Sequence, residues 1–107
     1  MRITLLASAP FAVPTLDALL AAGHEVAVGT QPARPAGRGK QLRATAIGER
    51  AAELGLEVAE LEDVNAPDDL GWLQATAPDL VVVVAFGQKL GPAVRAAAPW
   101  GLSLIHI

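Results

Sequence analysis

The run Leu80-Val-Val-Val-Val-Ala85 limits the fold more than any other stretch of this chain. Valine is stiff at χ1 and favours strands. Successive strand residues point to opposite faces, so four valines in a row leave neither face polar. A strand of this kind must be covered on both sides, as a central parallel strand is under helices.

The rest of the chain offers such helices. Arg2 to Ser8 is a short apolar strand that ends before Pro10. Val13 to Ala22 is a helix: Leu16, Leu19 and Leu20 share a face, Pro14 suits the first turn, and Gly23 stands at the C-terminal cap. Glu25 to Thr30 is a second strand. Ala46 to Leu54 is a second helix closed by Gly55, and Leu56 to Ala59 a short third strand. Asp68 to Thr76 is a third helix with Pro67 near its start. Lys89 to Ala97 is a weak helix, and Leu102 to Ile107 opens a last strand. Strands and helices alternate, which argues for an α/β fold: an open, mostly parallel, Rossmann-like sheet with helices on both faces. Ligands of such sheets bind beyond the carboxyl ends of the strands. That rule gathers Ser8 to Phe11, Thr30 onward, Phe86-Gly87-Gln88 and whatever follows Ile107 on one rim.

Between the second strand and the second helix lies Thr30-Gln-Pro-Ala-Arg-Pro-Ala-Gly-Arg-Gly-Lys40. Its proline and glycine content predicts an irregular loop, roughly Gln31 to Ala44, that lets the backbone approach a ligand. Arg34, Arg38, Lys40 and Arg43 are four of the eight basic residues, and no acidic residue occurs between Glu25 and Glu49. A basic cluster without acidic partners attracts phosphate. It carries no interleaved aromatics, which favours backbone contact over base stacking. The net charge of −3 confines any nucleic-acid contact to this loop.

Simpler sites find little support. The turn Ala7-Ser-Ala-Pro10 has no glycine for a dinucleotide pyrophosphate. Gly39-Lys40 is followed by Gln41, and Arg34 stands where a P-loop needs its first glycine. His24 and His106 have no neighbours at ligand spacing, so no metal is expected. His24 reads as a helix-end residue favoured by the helix dipole, and His106 as an ordinary edge-strand residue. The 107 residues suffice for one modest domain. There are no cysteines, hence no disulfides. No signal peptide or membrane-spanning stretch is evident, so the expected location is the cytoplasm.

Several segments together resemble the methionyl-tRNA formyltransferases, from about Met1 to Gly101. The most specific is T-Q-P-x-R-P-A-G-R-G-K, here with Ala33 in place of the usual aspartate. "FAVPTLDALLAAGHEV", Phe11 to Val26, matches the family's first helix and second strand. "PDLVVVVAFGQKLGPAV", Pro78 to Val94, matches its P-D-x-x-V-V-V-A-Y-G-x-x-L-P segment, with Phe86 for the tyrosine and the proline displaced by one residue. The turn usually written G-[TS]-P-x-F is here Ala7-Ser-Ala-Pro10-Phe11.

The resemblance implies a formyltransferase fold, incomplete at the C-terminus. It implies transfer of a formyl group from the co-substrate 10-formyltetrahydrofolate to the amino group of methionyl initiator tRNA, in a monomeric parent. Phe86, Gly87, Gln88, Lys89 and Leu90 would line the folate pocket. Arg34, Arg38, Lys40 and Arg43 would meet the tRNA acceptor stem. The family's catalytic motif is G-x-x-N-x-H, followed by S-L-L-P and a downstream aspartate. Here Gly101 and His106 are in register, while Leu104 stands at the asparagine and cannot donate a hydrogen bond. The remaining motif and the C-terminal tRNA-binding barrel fall beyond Ile107. The expectation is therefore an inactive amino-terminal piece of the catalytic domain, residues 1–107, with residues 101–107 as a foreign tail. A free strand edge at its end would favour association and poor solubility. The alternatives are a non-catalytic RNA-binding module using residues 31–44, and a formyltransferase acting on another amine. The loop signature speaks against the latter.

Overall fold

Strand β1 (Arg2–Ala7) enters the sheet directly from the N-terminus, and a 3-10 turn at Pro10–Ala12 leads into helix α1 (Val13–Ala21). Pro14 lies in the first turn of α1, and Gly23 follows its end at φ +88°, a conformation that glycine adopts without penalty. Next come β2 (Glu25–Thr30), β3 (Arg34–Ala36), β4 (Gln41–Arg43) and α2 (Ala46–Glu53). They are followed by β5 (Val58–Glu60), α3 (Pro67–Ala75), β6 (Leu80–Val84), α4 (Pro92–Arg95) and β7 (Leu102–Ile105). This computed structural model describes residues 1–8, 10–32, 34–36, 41–43, 45–84, 86, 88, 90–99 and 101–105.

Five strands form one sheet in the order β5-β2-β1-β6-β7, and every pair in it is parallel. The valine run lies where its composition requires, between β1 and β7, with Val81 opposite Thr4 and Val84 opposite Ala7. Its side chains alternate between two cores. Val82 and Val84 join Ile3, Leu5, Val28, Leu16, Ile47 and Ala51 under α1 and α2. Val81 and Val83 join Leu6, Leu61, Leu73, Phe86 and Val94 under α3 and α4. Fully burying a valine contributes on the order of 1.5–3 kcal/mol, so covering both faces is a large share of what holds the sheet.

Polar groups pin the opposite end of the sheet. Arg2 and Asp79 are joined twice, by Arg2 N–H to the Asp79 carboxylate at 2.8 Å and by Asp79 N–H to the Arg2 carbonyl at 2.7 Å. In the buried interior the Thr4 hydroxyl donates to Thr76 Oγ1 at 2.8 Å, and Thr76 donates to the Leu73 carbonyl at 2.6 Å. On the surface, Arg50 of α2 donates to Asp17 of α1 at 3.3 Å. That hydrogen bond and the Asp17 charge raise the Arg50 pKa above its ordinary value.

Three sequence expectations need correction. Residues 31–44 are not wholly irregular: β3 and β4 pair antiparallel, with Arg34 opposite Arg43, Pro35 opposite Leu42 and Ala36 opposite Gln41. In a two-stranded ribbon each strand is an edge, so the missing N–H of Pro35 is tolerated. The helix expected over 89–97 is only Pro92–Arg95, because Pro92 favours a first helical turn and Gly91 before it is extended. The third strand lies at Val58–Glu60, further along than expected.

Candidate functional site at the carboxyl ends of the strands

All five parallel strands run the same way, so their carboxyl ends share one rim. There the chain leaves β1 at Ser8, β2 at Gln31, β5 at Leu61, and continues past β6 through Phe86. Polar side chains tie these four exits together. The Ser8 hydroxyl accepts from the Gln31 backbone N–H at 3.1 Å and donates to the Phe86 carbonyl at 3.4 Å. The Gln31 amide donates to the same carbonyl at 3.0 Å. The Gln88 amide donates to Gln31 Oε1 at 3.1 Å and to the Leu61 carbonyl at 2.6 Å, while its own oxygen accepts from Val64 N–H at 2.8 Å. Asn65 extends the network by accepting from Gly91 N–H at 2.7 Å.

The basic segment springs from the same rim. Thr30 ends β2, and its hydroxyl is bonded to that of Thr45. Thr45 caps α2 by accepting from Gly48 N–H at 3.2 Å. The segment that holds β3 and β4 thus begins and ends at two threonines bonded to each other.

The expected site residues divide into three groups. Phe86 is buried, Gln88 is half-buried in the network, and Leu90 packs against the core beneath α3 and α4. Arg34 and Arg43 are partners in the backbone register of the ribbon, and Leu104 on β7 is the register partner of Val83. Gly87, Lys89, Arg38, Lys40 and His106 lie outside the described residues. His24 sits just past α1, its backbone N–H donating to the Leu19 carbonyl at 3.3 Å. Among the described residues no group of three or more acidic, His or Cys side chains could hold a metal ion, and no helix is long and apolar enough to cross a membrane.

Sequence reasoning missed the turn after β5. Asp63, Val64 and Asn65 belong to the rim, and the strand-end rule would have included them had the end of β5 been known. Beside that turn lies a cleft of about 380 Å³ lined by Pro32, Glu60, Glu62, Asp63, Asp68 and Asp69. Five carboxylates make it a poor receptor for phosphate or for an anionic ligand. Asp68 and Asp69 have a structural role there, in the first turn of α3 where the helix dipole favours negative charge.

No family model matches the chain. Curated relatives do. The chain is 44% identical over 107 residues to a methionyl-tRNA formyltransferase of Ruegeria pomeroyi, an alignment covering 99% of this chain and 36% of the relative. It is 41% identical to that of Solibacter usitatus, covering 99% and 34%, and 43% identical to that of Methylococcus capsulatus, covering 99% and 35%. The chain spans about a third of the length of the curated relatives it matches.

Proposed function

We propose that this chain, a relative of the methionyl-tRNA formyltransferases over the third of their length that it spans, is the amino-terminal part of the catalytic domain of such an enzyme. The reaction is transfer of a formyl group from 10-formyltetrahydrofolate to the amino group of methionyl initiator tRNA, in the cytoplasm. One observation carries the reading beyond sequence similarity. Gln31, at the start of the basic segment, and Gln88, in the F-G-Q segment, lie 57 positions apart yet are hydrogen-bonded on the rim where α/β sheets bind ligands. The segment read as folate-binding and the segment read as tRNA-binding are neighbours, as transfer between their two ligands requires.

In formyl transfer the amine attacks the formyl carbon, and negative charge grows on the formyl oxygen. The amine must also lose a proton. Donors aimed at that oxygen and a group that accepts the proton are therefore the catalytic needs. His106 is the residue in register for the proton. Leu104, at the family's asparagine, has no donor to offer. Phe86, Gly87, Gln88, Lys89 and Leu90 form the folate-facing edge. Arg34, Arg38, Lys40 and Arg43 bind acceptor-stem phosphates, which position the RNA without reading its sequence. With leucine at position 104 the chain binds both ligands but transfers formyl slowly or not at all.

Direct titration of the purified protein with 5-formyltetrahydrofolate, a stable analogue of the donor, and with initiator tRNA tests this reading. Binding of both, with the tRNA term weakening as salt rises, supports it. Binding of neither at low salt overturns it.

A further inference from the structure

We infer that Gln31 and Gln88 are a positioning pair: their side-chain amides set the Phe86 carbonyl and the backbone at Gln88 relative to the ends of β1, β2 and β5. That this edge faces the folate rests on the reading above; the pairing itself does not.

The hydrogen-bond inventory supports this. A glutamine amide has two N–H donors and one carbonyl oxygen. Both donors of Gln88 are engaged, with the Leu61 carbonyl and with Gln31 Oε1, and its oxygen accepts from Val64 N–H. The orientation of this amide is fixed by its partners, a carbonyl at the nitrogen end and a backbone N–H at the oxygen end. Gln31 uses both ends as well, donating to Phe86 and accepting from Gln88. The Phe86 carbonyl takes two donors, Ser8 Oγ and Gln31 Nε2, one for each lone pair. Three strand exits and the turn after β5 therefore meet at two side chains. A glutamine whose donors are both occupied by protein contributes geometry to a ligand site and not direct contact. The Gln88 side chain is thus a positioning element within the segment otherwise read as donor-binding.

Q31E tests the pair. Glutamate keeps the oxygen that accepts from Gln88 but sets a carboxylate oxygen against the Phe86 carbonyl. Protonation gives back an O–H donor, so the defect must shrink in acid. The contact raises the folded-state pKa of the new carboxyl, so its protonated form is favoured on folding. Ser8, Phe86 and Gln88 do not titrate. Glu60, Glu62 and Asp63 of the adjoining cleft would also repel a carboxylate at position 31; salt screens that repulsion far more than a direct contact, so the melts are compared at low and at high salt, and the deficit that persists at high salt reports the Phe86 contact. The measurements are thermal melting of both proteins from pH 4.5 to 8, and amide hydrogen exchange at Val64.

The expected result is a melting deficit at neutral pH that closes toward acid, with no such closure for Q31A. Loss of the Gln88 acceptor in Q88A should speed Val64 exchange by about tenfold, the scale of one hydrogen bond. Q31A and Q88A should be non-additive in combination. A pH-independent Q31E deficit, or unchanged Val64 exchange in Q88A, overturns the inference. Should Q31E not fold at neutral pH, Q31M, which keeps the length and loses both polar ends, takes its place in the exchange and additivity measurements. A parallel titration with 5-formyltetrahydrofolate separates the two claims. If wild type does not bind, the folate reading fails while acid recovery still decides the pairing. If wild type binds and Q31E binds equally at every pH, the positioning role fails.

Discussion

Thr30 and Thr45, fifteen positions apart, are bonded hydroxyl to hydroxyl at the base of the basic ribbon. Thr30 is buried at the end of β2, and Thr45 is the cap of α2. Thr45→Ala removes the cap and leaves the Thr30 hydroxyl without this partner. Loss of a cap costs about 1 kcal/mol, and an unsatisfied buried hydroxyl on the order of 1–3 more. Chemical denaturation should show a loss of about 2–4 kcal/mol, and Thr45→Ser should recover most of it. An alanine variant within a few tenths of wild type would show that the ribbon is anchored elsewhere.

Gly29, in the middle of the sheet, admits no side chain. A Cβ there would lie 2.7 Å from both Leu6 Cδ2 and Leu61 Cδ1, and 3.2 Å from Trp72 Cζ3. Leu6 and Leu61 are fully buried, so neither can swing into solvent. Gly29→Ala should therefore destabilise by about 1–3 kcal/mol, the usual range for overpacking, in spite of alanine's lower backbone entropy. A lower denaturation midpoint with an unchanged slope is the expected signature.

Ala77 has φ +48°, and it is the only described non-glycine residue in that region. It turns the chain from α3 into β6 just before Pro78. A Cβ in the left-handed region costs about 1–2 kcal/mol, which glycine avoids while gaining entropy in the unfolded state. Ala77→Gly should raise stability by about 0.5–1 kcal/mol, read as a higher melting temperature. A lower melting temperature would mean that the unfolded-state entropy outweighs the strain.

The valine run foretold its own position because burial on both faces is a property of composition. The end of α1 was equally legible, since Pro14 and Gly23 act locally. The ribbon was not. Three-residue strands containing Pro35 carry no alternation to read, and their pairing comes from closure at Thr30 and Thr45, a tertiary contact. The rim network was half legible. The strand-end rule named the segments at Ser8, Thr30 and Phe86, but nothing in a glutamine says whether it meets water or another glutamine. Gln88 reaches Gln31, Leu61 and Val64 only because β2, β5 and β6 end at one level.

If the ribbon binds acceptor-stem phosphates, its basic residues release counterions when RNA binds. Removing one phosphate contact, by Arg38→Ala or Lys40→Ala, should lessen the salt dependence of tRNA binding by about 1 in the logarithmic slope. The loss should be the same for initiator tRNA and for an unrelated tRNA with the same stem length, since phosphate contacts carry no sequence information. Filter binding across a salt series measures both. An unchanged slope in both variants would remove the ribbon from the interface.

Leu104 gives the sharpest test of chemistry. It lies on β7 opposite Val83 of the valine strand β6. An asparagine there could donate to the formyl oxygen as charge develops, and single donors of that kind are worth about 10²–10³ in rate. Leu104→Asn, in a complete enzyme built on this chain, should raise formyl transfer by that order with little change in donor affinity, because the bond strengthens only in the transition state. His106→Ala should then abolish the gain if the histidine manages the proton of the attacking amine. A rate indifferent to Leu104→Asn would show that the oxyanion is met by another donor. The register drawn through Gly101 and His106 would then not describe the active site.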